Sequence, residues 1–291
     1  MGFELWVSNL TGYRRKGTRF SSLKNLFIDN VTAKSIYDPL LCCPAASCAE
    51  HAKSALKLRE FDVAGVKENK DGDVTGYVVA EELSGGDVYS HLKEIDSSLL
   101  ISDSTPIADI FTILNDRDFA FVIYGNKVTG IVTKADINKP PVRIYLFGII
   151  SLFEMHMNFW INHFYPDNSW TEELPKKRLK KAESIYELRK GNNQDLFLLE
   201  CLQLCDKRNL LAKSQEFQES FNLTPKFFKS FVEGAEIIRN ELAHSQTSII
   251  ANIEWAKFIK IVSKIEEFLK DSDDKTEQMA CDGKNFKDML I

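Results

Sequence analysis

The sequence predicts an α+β chain in two parts, an N-terminal half of β/α repeats and an all-helical C-terminal bundle. Three observations carry this. Ahead of Pro140-Pro141, short runs rich in β-branched and aromatic residues alternate with helical stretches. After it, apolar residues recur at three- and four-residue spacing as far as Leu269. Within the first half, a helix–strand–strand–helix pattern occurs twice. At 291 residues the chain can bury two cores. Two successive prolines disfavour helix through themselves and mark the boundary.

The expected organisation is a leader over 1–25, the repeats over 26–140, the bundle over 144–270 and a polar, flexible tail over 271–291. Arg14, Arg15, Lys16 and Arg19 make the leader a basic arm. Solvation is the ordinary fate of such an arm, with nucleotide phosphates or RNA as the functional alternatives. In the first repeat a helix is expected over 45–59, strands over 61–66 and 74–79, and a polar loop at Asp71-Gly72-Asp73. In the second, Thr105-Pro106 opens a helix through Leu114. Strands follow over 119–124 and 128–132, joined by Gly125-Asn126-Lys127, which suits a tight hairpin. A further helix starts at Thr133.

In the second half, helices are expected over 144–164, 176–189, 194–205 and 253–269, and from Thr224-Pro225 onward, where Thr caps and Pro takes the first helical position. The first is almost wholly apolar. Glu154, His156 and Asn158 interrupt it, so a buried core or interface helix is expected and no membrane span. Its stripe is Leu146, Ile150, Phe153, Met157, Trp160 and Phe164. On the helix after Thr224, Phe228, Phe231, Ala235, Ile238 and Leu242 form the buried stripe.

A net charge of −5 excludes a globally basic nucleic-acid binder, so any RNA contact must come from a local cluster. Lys176, Lys177, Arg178, Lys180 and Lys181 are such a cluster, although a run of this kind is more often a solvated helix face. The opening Met1-Gly2-Phe3-Glu4 lacks the basic-then-apolar pattern of a secretion signal. A cytoplasmic setting with reduced cysteines is therefore expected. Cys42, Cys43, Cys48 and His51 make no metal site, because adjacent cysteines rarely hold one tetrahedral ion and no second pair follows. Cys201 and Cys205 read as core thiols one helical turn apart.

Gly130-Ile131-Val132-Thr133-Lys134-Ala135-Asp136-Ile137 ends the second repeat. With the doubled unit, it resembles the G-x-x-[ST]-x-x-D ending of a CBS-domain pair. That resemblance implies a regulatory adenine nucleotide such as AMP, ADP, ATP or a cyclic adenylate. Thr133 would bind phosphate where a strand meets a helix N-terminus, and Asp136 would take the ribose hydroxyls. The first repeat has Val79 and Glu82 at these places, so one competent site at most is expected.

Arg239-Asn240-Glu241-Leu242-Ala243-His244 holds a permanent cation, an amide and an imidazole within six residues. An arginine grips phosphate with two hydrogen bonds, and a histidine moves protons near neutral pH. The spacing R-x4-H, with Asn after Arg, resembles the signature of HEPN-domain ribonucleases. It implies Arg239 and His244 as the catalytic pair, Asn240 as a supporting residue and no catalytic cofactor. It also implies an RNA substrate, 2′,3′-cyclic phosphate products and a homodimer, with a stress-response or phage-defence role beside an antitoxin or defence-system partner. Were the segment helical throughout, Arg239 would lie about 140° around from His244. Glu154, Asp195 and Glu200 are candidate carboxylates to orient the pair. The rival expectations are a non-catalytic nucleotide sensor, whose bundle mediates dimerisation or binds a partner or RNA, and a scaffold with an empty repeat pair.

Overall fold

Each repeat closes into a small sheet of parallel-then-antiparallel strands, seen here in a computed structural model that describes residues 19–192, 197–244 and 248–282. One compact unit is Phe27–Val142, and the described residues of 1–26 and 143–291 form the other.

In the first repeat, β2 (Cys42–Pro44) crosses through α2 (Ala49–Leu58) to β3 (Val63–Lys67), and β4 (Val74–Val79) returns beside it. β2 runs parallel to β3 and β4 antiparallel to it, with Cys42 opposite Gly65 and Gly65 opposite Tyr77. The second repeat copies this. β5 (Leu100–Ser102) crosses through α3 (Ile107–Ile113) to β6 (Phe119–Tyr124), and β7 (Lys127–Thr133) returns. β1 (Asp38–Pro39) adds to the outer edge of β7. The central strands are buried along Ala64, Val66, Ala120, Phe121 and Val122, as expected where a crossover helix covers a parallel pair. Gly125 turns the β6–β7 hairpin with φ of +64°, where a side chain would be strained.

The strands expected over 61–66, 74–79, 119–124 and 128–132 appear within two residues of their bounds. β1, β2 and β5 were not expected, because two or three residues are too few to show alternation. The helix start at Thr133 becomes a short 3-10 turn over Lys134–Asn138.

The helical unit is built on α4 (Pro140–Phe164), which starts at the double proline itself. Prolines fit the first helical turn, whose N–H groups have no intrahelical acceptor. Leu146, Ile150, Phe153, Met157 and Trp160 are buried as expected, with Tyr145, Ile149 and Ile161. By length and composition α4 could cross a membrane, yet 61% of its apolar window is buried within the protein. Two of its three polar interruptions have partners: Glu154 accepts from Lys207 Nζ at 2.6 Å, and His156 Nδ1 lies 2.6 Å from Ser272 Oγ, whereas the buried Asn158 Oδ1 accepts no hydrogen bond among the described residues.

Several expectations need correction. After α5 (Lys176–Gly191), the helix expected over 194–205 is a 3-10 turn at Leu198–Cys201 followed by α6 (Leu204–Lys213). Cys201 and Cys205 therefore sit on different elements. α7 (Gln215–Phe221) was not expected; it ends on Asn222 in the left-handed region, φ 48°. α8 (Pro225–Ala243) begins as expected, with Thr224 Oγ1 accepting from Phe227 N at 3.3 Å. The last helix, α9 (Trp255–Asp282), runs through the first half of the expected tail. Its polar residues face inward to polar partners. Ser272 Oγ accepts from Trp160 Nε1 at 2.6 Å, and Asp273 accepts from Phe20 N at 2.7 Å. That last bond starts α1 (Phe20–Asn30), within the expected leader. Arg19 pairs there with Glu277 at 2.5 Å, whereas Arg14, Arg15 and Lys16 lie outside the described residues. Gly234 of α8 brings α9 close: a Cβ there would overlap the Ile261 side chain.

Candidate functional site

The exposed end of α8 is made by what its other face must do. Phe228, Phe231, Val232, Ala235 and Ile238 are buried, which turns Arg239 and Asn240 to solvent on the last turn. Among the described residues neither side chain has a hydrogen-bond or ion-pair partner. The helix stops at Ala243. His244 caps it in extended conformation, φ −103° and ψ 98°, with its N–H donating to the Glu241 carbonyl at 3.1 Å. His244 is thus outside the helix and the 140° separation no longer applies. It is exposed, and no hydrogen bond joins it to Arg239.

Arg143, in the first turn of α4, was not singled out from sequence. Its Nη2 donates to the carbonyls of Glu241, Leu242 and His244 at 3.0, 3.1 and 3.0 Å. Asn252 Nδ2 donates to Glu241 Oε1 at 2.5 Å, steadying the same turn. A single arginine at the head of an apolar helix gives no sign of which carbonyls it will meet.

The candidate carboxylates do other work. Glu154 neutralises Lys207, which is 1% exposed, and Glu200 accepts from Phe197 N at 2.9 Å within its own turn. Asp195 lies outside the described residues. In the basic cluster, Lys176, Lys177, Lys180 and Lys181 are exposed on α5. Arg178 is not free to join them. Its Nε and Nη2 fork onto Asp206 at 2.7 Å each, and the carboxylate raises the guanidinium's proton affinity further.

In the β/α unit Thr133 and Asp136 are together, but bonded to each other. Asp136, 5% exposed, accepts from Thr133 N at 2.6 Å and from Thr133 Oγ1 at 3.2 Å. Its other oxygen holds Lys139 Nζ at 2.7 Å. Lys139 also reaches Asp38 at 2.7 Å and donates to the Ile36 carbonyl. Burial works against the charge on Lys139, yet Asp136 and Asp38 outweigh it and raise its proton affinity. Sequence pointed to the Thr133–Asp136 pair. Lys139, one helical turn beyond Asp136, was readable as an i,i+3 partner but was not read so. In the first repeat Glu82 pairs with Lys93 at 2.5 Å on the surface, and half-buried Val79 has no polar group to offer.

Burial raises the thiols of Cys42, Cys43 and Cys201 above the ordinary cysteine value, which keeps them protonated. Among the described residues no cluster of three or more His, Cys, Asp or Glu side chains could hold a metal.

No protein-family model and no curated protein matches the chain. Among solved structures, it is similar to an uncharacterized conserved protein from Pyrococcus horikoshii, at 16% identity over 38% of this chain and 90% of that one, with a TM-score of 0.33. It is similar to the CBS domain of a bacterial CNNM/CorC family Mg2+ transporter in complex with ATP, at 15% identity over 41% of this chain and 92% of that one, TM-score 0.33. It is also similar to the CBS domains of a transcriptional regulator from Streptococcus pneumoniae, at 20% identity over 38% and 98%, TM-score 0.32. Likenesses at this level carry no functional argument, so the doubled β/α unit stands on its own strand order.

Proposed function

We propose that the chain is an endoribonuclease of HEPN type, with its active site at the end of α8 and an adenine nucleotide as the regulatory ligand of a CBS-like β/α unit. The observation that carries this is the exposure of Arg239, Asn240 and His244 together at a helix end whose opposite face is core. His244 takes the proton of the RNA 2′-hydroxyl, or gives one to the leaving 5′-oxygen, according to its protonation. The 2′-oxygen bonds to phosphorus as the bond to the 5′-oxygen breaks. Arg239 stabilises the charge that grows on the phosphate, and the products are a 2′,3′-cyclic phosphate and a 5′-hydroxyl. Imidazole and guanidinium suffice for these steps, so activity should persist in EDTA.

The test is cleavage of total RNA or tRNA in EDTA by the wild type, Arg239→Ala and His244→Ala, with circular dichroism as the folding control. Both variants should fold and neither should cut. Full activity in either sinks the catalytic assignment, and loss of wild-type activity in EDTA sinks the metal-free mechanism. A second reading has one observation in its favour. Ile144 and Phe147 on α4 are 60% and 62% exposed, apolar surface suited to docking a second copy or a partner. On that reading the unit is a non-catalytic sensor and its bundle an interaction module. A well-folded wild type that cuts no RNA would favour it.

A further inference from the structure

We infer that Arg143 is a positioning residue for the α8 motif, holding the backbone of His244 so that its exposed imidazole keeps one place; this rests on the nuclease reading above. A helix end leaves carbonyls unpaired, and at an exposed end water or a following glycine ordinarily takes them. α8 has neither a glycine after it nor a left-handed cap, since His244 is extended. Arg143 reaches over from α4 and spans the Glu241, Leu242 and His244 carbonyls at 3.0–3.1 Å with one nitrogen. The His244 N–H is meanwhile bound to the Glu241 carbonyl at 3.1 Å. Both backbone polar groups of His244 are therefore fixed, although the residue lies outside the helix and is exposed.

A guanidinium suits this task. It is planar, always charged and rigid, and its charge is favourable at the negative end of the helix dipole. Stability alone does not call for it, because solvent could satisfy the same carbonyls. What solvent cannot do is fix the direction in which the imidazole leaves the chain. Misplacement of a proton-transfer group by about 1 Å is enough to cost on the order of a hundredfold in rate. Arg143 touches backbone and no reacting atom, so its effect should fall on turnover and not on RNA affinity.

The experiment uses the full chain in three forms, wild type, Arg143→Ala and Arg143→Lys. Two readouts are taken, RNA cleavage kinetics and hydrogen exchange of the peptide segment ending at His244. Arg143→Ala should lose about ten- to hundredfold in kcat with KM nearly unchanged. Guanidinium ion at non-denaturing concentration should restore part of that loss. Arg143→Lys should fall between, because the ammonium keeps the charge at the helix end but lacks the planar, rigid geometry of the guanidinium. Exchange at Leu242–His244 should rise in Arg143→Ala while the rest of α8 stays protected. Unchanged exchange there, or cleavage equal to wild type, overturns the inference. A general loss of protection along α8 with no guanidinium rescue also overturns it and makes Arg143 merely structural. If the wild type cuts no RNA, the proposed function falls, and the exchange still tells whether Arg143 anchors His244.

Discussion

Lys207 is a full-length lysine 1% exposed, and one oxygen of Glu154 at 2.6 Å lets its charge stay inside the helical unit. Removing one partner of such a pair leaves the other uncompensated, whereas replacing both with apolar groups does not. Glu154→Gln should cost about 2–3 kcal/mol, and Glu154→Leu with Lys207→Met together should cost clearly less than either single change. Chemical denaturation of the set checks this. Equal losses for the double and the worst single variant would show that the pair is not what matters. His163, beside Phe159, Trp160 and Phe164, is a second residue-scale case. Although His163 is exposed, partial desolvation among these rings lowers its proton affinity from the ordinary value of 6.5. The unfolded chain then takes up this proton first on acidification. The contribution is whole above about pH 6.5 and is lost as pH falls through the lower folded value. His163→Gln should flatten the fall of melting temperature in that window, and an identical pH profile would refute it. At this scale the sequence showed which residues could do chemistry. It did not show which were already engaged: Arg178 and Asp136 looked available, and the fold commits each to a partner.

Helix α8 meets α9 at Gly234, where no side chain intervenes. Glycine lowers helix propensity there by about 1 kcal/mol relative to alanine, so an exposed site would gain from Gly→Ala. Here the added methyl must push Ile261 aside, and Gly234→Ala should destabilise by about 1–3 kcal/mol instead. Ile261→Val or Ile261→Ala combined with it should recover part of the loss. Thermal melts of the three variants decide the matter, and a stabilised Gly234→Ala would disprove the close packing. The elements with a clear period were legible, among them α8, β6 and β7 and most of α4. What stayed hidden were pieces too short to show a period, such as β2 and β5. Also hidden was the C-terminal part of α9, whose buried Ser272, Asp273 and Thr276 read as a solvated tail until their partners were known. A polar residue facing a polar residue leaves no hydrophobic trace in sequence.

The β/α unit is one unbroken stretch of chain, and its ligand question is set by Lys139. A nucleotide ribose can reach Asp136 only by taking the place of Lys139 or of the Thr133 bonds. Calorimetry with AMP, ADP, ATP and cyclic adenylates should show about one site per chain. Asp136→Ala should weaken binding by about 1.5–3 kcal/mol, ten- to hundredfold. Lys139→Met should tighten it. No heat or thermal stabilisation by any adenine nucleotide at millimolar concentration would remove the sensing role. The repeat itself was legible because it occurs twice, and the second copy taught the reading of the first.

The helical unit, by contrast, is interrupted: α1 joins α9 across 253 residues through the bond from Phe20 to Asp273. During synthesis at about 5–20 residues per second, α1 waits on the order of tens of seconds for that partner to be made. α8 waits too, since the face that holds Gly234 needs Ile261. The β/α unit has all its strands in hand long before. A newborn chain would therefore carry a finished β/α unit well before α8, with Arg239 on its last turn and His244 as its cap, has α9 to pack against. The order of elements along the chain thus leaves the exposed end of α8 without its packed support until α9 has been made.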